Sequence, residues 1–254
     1  MIPAGHRERG YGAVVTDNPT IPTALRGLVS SETRIALVLA TLLIGAGAAF
    51  ALAFFLPADV RTFAGVAPLS QLIVSVLTPF STALLTYDLR DPEGEFRSRT
   101  VGPLRSRWIA AGLYGIVIGI YVAVVVALAV AVAAGANVNA DPWTGAVPAV
   151  VGSILVQVIP VGVGCAAGLL VPRGGLACLA TVVVPVLFTV IVGGLAPRGT
   201  ADWLTPLGAA GHLVPGPMSI VNWAQWIVTA ALWVVLPNWL GARLLRQRVS
   251  RLAG

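Results

Sequence analysis

Six stretches of the sequence, 35–56, 66–87, 108–134, 146–171, 176–195 and 219–240, contain no Asp, Glu, Arg, Lys or His. A helix rises about 1.5 Å per residue, so roughly 20 apolar residues cross the ~30 Å hydrocarbon core of a bilayer. All six stretches reach that length. Membrane barrel strands do not fit, because they alternate apolar and polar positions over about ten residues. The expected fold class is therefore all-α: a polytopic membrane protein with six transmembrane helices. Composition agrees, since 57% of the 254 residues are hydrophobic and only 10% are charged, too few to coat a soluble domain.

The formal net charge of +6 comes with 16 arginines and no lysine. Alternating the spans puts 14 arginines on one side, in the N-terminal tail, the second loop, the fourth loop and the C-terminal tail, against Arg61 and Arg198 on the other. The positive-inside rule then places the N- and C-termini in the cytoplasm. Topology thus accounts for the basicity, and no nucleic-acid partner is implied. A lysine-free chain rich in Ala, Val, Gly and Arg suits a GC-rich bacterial genome, so the expected location is the bacterial cytoplasmic (plasma) membrane.

Residues 1–20 carry Gly, Pro and mixed charge without periodicity and read as a mobile cytoplasmic tail. Residues 21–254 read as the six-helix transmembrane domain. Within it, Ile21, Leu25, Leu28 and Val29 recur at helical spacing over 21–34, which suits a short amphipathic helix at the inner interface or a plain extension of span one. A cleavable signal peptide is not expected, because 34 residues precede the first span and that span is too long for a signal h-region. Trp143, Trp203, Trp223 and Trp226 fall near the outer interface and Trp108 and Trp239 near the inner one, the depths amphipathic rings prefer. Segment 196–218 is apolar for an outer connection and is either a re-entrant helix or a surface loop.

Pro79, Pro148, Pro160, Pro185 and Pro237 lie inside spans and can kink them, whereas spans one and three lack proline. Gly115/Gly119 and Gly164/Gly168 are small-xxx-small pairs suited to close helix contact, although 28 glycines produce such pairs by chance. Cys165 and Cys178 read as small hydrophobes.

Several chemistries lack their residues. Intramembrane enzymes and proton-coupled carriers need ionisable groups at depth, and the two histidines, His6 and His212, fall in the tail and the outer loop. A phosphate-binding loop of the form G-x-x-x-x-G-K-[ST] needs a lysine. The chain is expected to be neither an enzyme nor a binder of any cofactor or metal of its own.

Uncharged polarity remains at depth. Gln71, Ser75, Thr78, Ser81 and Thr82 lie in span two, Ser153 and Gln157 in span four, and Asn222, Gln225 and Thr229 in span six. Buried amides and hydroxyls either join helices by hydrogen bonds of about 0.6–2 kcal/mol or line a path for amphipathic substrates. On the second reading the candidate lining is Gln71, Ser75, Thr78, Gln157, Asn222 and Gln225.

Between spans two and three lies "TYDLRDPEGEFRSRTVGPLRSR", with nine of the chain's charges. Their near balance suits a solvated loop or a salt-bridged contact with a folded partner. "EFRSRT", Glu95 to Thr100, resembles the E-[YF]-R-x-G-T signature that follows the second span in ABC-2 type permeases, the membrane subunits of a class of ATP-driven exporters. "GPLRSRW" is similar to that family's proline-and-arginine stretch leading into span three, and "ARLLRQRVSR" to its basic ending. Arg99 stands where the family usually has Gly, and Ala110 and Ala111 stand where a Lys usually opens span three.

The resemblance implies an ABC-2 type exporter fold and a cytoplasmic coupling region over 88–107. That region would dock on a separately encoded ABC ATPase through Asp91, Glu93, Glu95, Arg97, Arg99 and Thr100. It also implies a second permease, identical or related, and ATP with Mg held by the partner ATPase. The class that competes with it is a non-ATP membrane carrier, a channel component or a binding subunit of a larger complex.

Overall fold

The computed structural model describes residues 21–90, 102–134, 141–197, 199–211, 213 and 218–253. Among these there is no strand, and six helices are long and apolar enough to cross a membrane. The chain is a multi-pass membrane protein. A short helix α1 (Ile21–Arg26) leads through a 3-10 turn to α2 (Glu32–Phe55), the first span. Then follow α3 (Phe63–Tyr87), the second span, and α4 (Gly102–Ala134), the third. The fourth span consists of α5 (Ala146–Val156) and α6 (Val158–Leu170), and the fifth is α7 (Gly174–Leu195). Two short helices, α8 (Thr200–Leu204) and α9 (Pro206–Gly211), precede the sixth span. That span runs as α10 (Ile220–Ala230), a π-helical turn (Ala231–Val235) and α11 (Leu236–Ala253).

Helix starts follow local chemistry. Ser31, Thr62 and Ser219 have extended backbones, and their side chains accept from the backbone N–H of Arg34, Gly65 and Asn222. These are the N-cap bonds that satisfy otherwise orphaned donors. The Ser31 cap separates α1 from the first span, so 21–34 is not one continuous helix. Ala24 and Leu28 are its buried residues, whereas Ile21 and Val29 are exposed.

The second span is central: α3 packs on α2, α4, α5, α6 and α7. Apolar side chains such as Leu43, Val190, Leu195 and Ile227 face outward, as lipid contact allows. Lipid tails are as apolar as those side chains, so helix association rests on close packing and internal hydrogen bonds rather than on burial from water.

The prolines act unequally. α3 continues through Pro68 and Pro79, and α7 through Pro185. The fourth span breaks at Gln157, three residues before Pro160, and the sixth widens into its π turn just before Pro237. Proline removes one N–H and crowds the carbonyl four residues back, and a local rewinding of the helix is one remedy.

The antiparallel order gathers Arg34, Arg90, Arg105, Arg107, Arg246 and Arg248 at one end of the bundle. At the opposite end the Phe63 N–H donates to Pro142 O (2.9 Å), and the Phe63 and Trp143 rings lie 6.4 Å apart.

Candidate functional site

Two groups of polar side chains lie at membrane depth around α6. The first joins α3 to α6. Thr82 Oγ1 donates to Val161 O (3.3 Å) and Thr86 Oγ1 to Cys165 O (3.0 Å). Gly164 and Gly168 make this approach possible. A Cβ on Gly164 would run into Thr82 Oγ1 and the Pro79 carbonyl, and one on Gly168 into the Ala83 carbonyl and Thr86 Oγ1. The other small pair also packs closely: a Cβ on Gly119 would lie 2.9 Å from Ile154 Cα. The threonines recur every four residues on one face of α3, so they form a ridge that the glycine-lined α6 accepts.

The second group is a chain of amides. Gln71 Nε2 donates to Gly119 O (3.4 Å), and Gln157 Nε2 donates to Gln71 Oε1 (2.7 Å). Each amide orientation follows from the next: a carbonyl can only accept, so Gln71 must present nitrogen to Gly119 and oxygen to Gln157. Gln157 then has its own oxygen left over, buried and without a partner among the described residues. Asn238 behaves likewise. Its Nδ2 donates to Gly162 O and Val234 O (2.8 Å each), and its Oδ1 has no partner among the described residues.

Gln157 and Asn238 both line one cavity of about 580 Å³. α4 and α11 each pack on α6, and the cavity occupies the gap between them, with Val158, Val161 and Cys165 of α6 on its floor. Gly112 of α4 helps to keep it open, since a Cβ there would meet nothing within 4 Å. Gln157 stands at the break in the fourth span, and Asn238 follows the π turn of the sixth. Arg246, with Trp108 and Trp239, marks the basic end, and among the described residues no acidic one lines the cavity. A second cavity of about 430 Å³ lies on the other side of the fourth span, bounded by Leu72, Ser75, Ile159, Pro160 and Leu207.

The basic end is held by an ion-pair cluster. Arg34 donates to both oxygens of Asp88 (2.5 and 2.9 Å), and Arg107 donates to Asp88 Oδ2 (3.1 Å) and to Leu85 O. The two arginine side chains are 11% and 5% exposed and that of Asp88 is 29%, so three spans are tied at one nearly dry point. Arg90 donates to Leu169 O (3.0 Å). Burial, reinforced by the nearby Arg248 guanidinium, holds the Arg90 pKa below the ordinary arginine value, with Tyr87 opposing.

Asp88, Arg90 and Arg107, within the expected coupling region 88–107, therefore also bond to the bundle itself. Asp91, Glu93, Glu95, Arg97, Arg99 and Thr100 lie outside the described residues, as do residues 1–20, Arg198 and His212.

Of the candidate lining residues, Gln71 and Gln157 are brought together and only Gln157 reaches the larger cavity. Ser75 borders the second cavity while donating to Leu72 O (2.7 Å). Thr78 is buried and donates to Val74 O (3.1 Å). Asn222 is half-buried in the first turn of α10, and Gln225 is buried with its Oε1 lacking a partner among the described residues. Neither Asn222 nor Gln225 lines a described cavity.

Sequence reasoning missed Asn238, although "LPNWL" offered a signal: an amide directly after an in-span proline, where a disturbed helix leaves carbonyls for it to bond. No protein-family model, curated protein or solved structure matches the chain.

Proposed function

We propose that the chain is the membrane-spanning permease subunit of an ATP-driven ABC-2 type exporter, forming the substrate pathway and coupling to a separately encoded ATPase. The observation that carries this reading is "EFRSRT" at 95–100, a stretch that lies in sequence between Asp88 and Arg107, two members of the Arg34–Asp88–Arg107 cluster. A loop that transmits force needs a stiff base, and a cluster tying α2, α3 and α4 supplies one. Gathering of the arginines at that end supports a cytoplasmic orientation for it, with both termini inside a bacterial plasma membrane. The family pattern adds a second permease, identical or related, and ATP with Mg on the ATPase. Hydrogen bonds from Thr229 to Trp203 O (2.9 Å) and from Trp233 Nε1 to Leu204 O (2.7 Å) support a re-entrant reading of 196–218, because they tie α8 deep into the sixth span.

The test is the double variant Glu95→Ala with Arg97→Ala. It is expected to insert normally in the membrane and to lose association with the ATPase. Retained association with full transport would sink the coupling assignment and leave the topology standing.

A further inference from the structure

The larger cavity opens sideways as a groove. Ile116, Val158, Val235 and Trp239 line it and are all exposed, so its mouth lies on the surface that the bundle turns to lipid. Two stripes form its side walls. On α4 the stripe runs through Trp108, Gly112 and Ile116, and on α11 through Val235, Trp239, Ala242 and Arg246. Both follow the three- and four-residue spacing of one helix face. Arg105, three residues before Trp108, continues the α4 stripe toward the basic end.

Each stripe therefore ends in an arginine eleven residues from its apolar end, Arg105 from Ile116 and Arg246 from Val235. That is about 16 Å of helix. One leaflet's share of the ~30 Å hydrocarbon core has nearly the same depth. α4 and α11 cross in opposite directions, so both guanidinium groups come to the same end of the groove. Arg34, Arg90 and Arg107 at that end bond inward, to Asp88 or to backbone carbonyls. Arg105 and Arg246 are exposed instead, and neither has an ion-pair partner among the described residues.

Two outward guanidinium groups above an apolar groove of leaflet depth match an amphiphile with an anionic head and a long chain. Guanidinium donors fit phosphate oxygens, and basic residues at the interface attract anionic lipid. A zwitterionic head would bring a cation of its own against the arginines. We propose that the groove is a seat for one anionic phospholipid of the leaflet at the basic end, with an acyl chain between α4 and α11 and its phosphate against Arg105 and Arg246. The seat stands apart from the exporter reading, because lipid binding needs no ATPase and the two are tested separately.

The test uses the full chain in phosphatidylcholine nanodiscs doped with a diazirine-bearing phospholipid, either phosphatidylglycerol or phosphatidylcholine with the same chains. Labelled peptides are mapped by mass spectrometry. Peptides of α4 and α11 around the groove should take the phosphatidylglycerol probe about five- to thirtyfold more, the factor that one or two basic residues supply at a membrane surface. The exposed face of α2 at Leu39 and Leu43 is the internal control, since Arg34 of that helix is already paired with Asp88. It should take both probes about equally. Arg105→Gln with Arg246→Gln changes only exposed side chains and should lower phosphatidylglycerol labelling of the groove to the phosphatidylcholine level. Gly112→Leu fills the groove from a position with open space and should reduce labelling there by both probes. Unchanged labelling of α2 reports that both variants are folded. Equal labelling of the groove by the two probes overturns the proposal, as does an equally large phosphatidylglycerol preference on α2. A preference that survives the double arginine variant, or undiminished labelling in Gly112→Leu, overturns it as well. So do groove peptides that take neither probe, and cross-linked dimers through them would make the groove a contact between copies of the chain.

Discussion

The two faces of α6 use polar chemistry in opposite ways. Toward α3, Val161 and Cys165 give their carbonyls to Thr82 and Thr86, glycines remove every intervening Cβ, and each hydroxyl has an acceptor. Toward α4 and α11, the same two residues border a cavity, beside which the buried Gln157 and Asn238 oxygens have no partner among the described residues. A polar residue at membrane depth therefore says little by its identity. What separates the two faces is whether the described residues complete the hydrogen bonding of each polar group.

Glycine-to-alanine exchange should sharpen that contrast most. Gly164→Ala places a methyl against Thr82 Oγ1 and the Pro79 carbonyl, and backbone cannot yield cheaply. A loss of about 3 kcal/mol is expected, read as a lower midpoint in thermal unfolding in detergent. The same exchange at Gly112 should have the opposite sign, stabilising by about 0.5 kcal/mol through helix propensity alone. Equal costs at the two positions would erase the distinction between the faces.

Next in size is Asp88→Asn, which leaves the nearly buried Arg34 and Arg107 without their shared carboxylate. Fully buried pairs cost about 3–5 kcal/mol when broken, and partial exposure of Asp88 reduces the expectation to about 2 kcal/mol. Thermal unfolding checks it, and an unchanged midpoint would mean that the base of the loop is not held by this cluster. The smallest losses belong to the threonines. Thr82→Val or Thr86→Val removes one interhelical bond and should cost about 1 kcal/mol each, measured by the same midpoint shift.

The spans were legible in the sequence because a run without charge has few places to go. Their ends were less so. The helix of the third span begins at Gly102, ahead of the apolar run from 108, because Arg107 finds Asp88 inside the bundle and Arg105 stays exposed on the helix's surface. Helical α11 likewise extends to Ala253, well past 240. Proline marked where helices were under stress without saying how each would respond, since Pro79 and Pro185 are absorbed while Pro160 and Pro237 accompany a break and a π turn.

For the site, the list of polar residues could be read from the chain, but their partners could not. Gln71 and Gln157 are 86 residues apart, and only their packing shows which oxygen is left over. The charged stretch after span two divides in the same way: Asp88, Arg90 and Arg107 serve the bundle's own base, a role invisible until Arg34 is placed beside them.

The exporter reading meets its most direct test in a mild-detergent pull-down of the tagged full chain from its own host, assayed for bound protein and for ATPase activity. The account predicts a stoichiometric soluble ATPase whose retention is lost with Glu95→Ala and Arg97→Ala. Recovery of the chain alone, with no nucleotide dependence, would contradict it and put a non-ATP membrane carrier or binding subunit in its place.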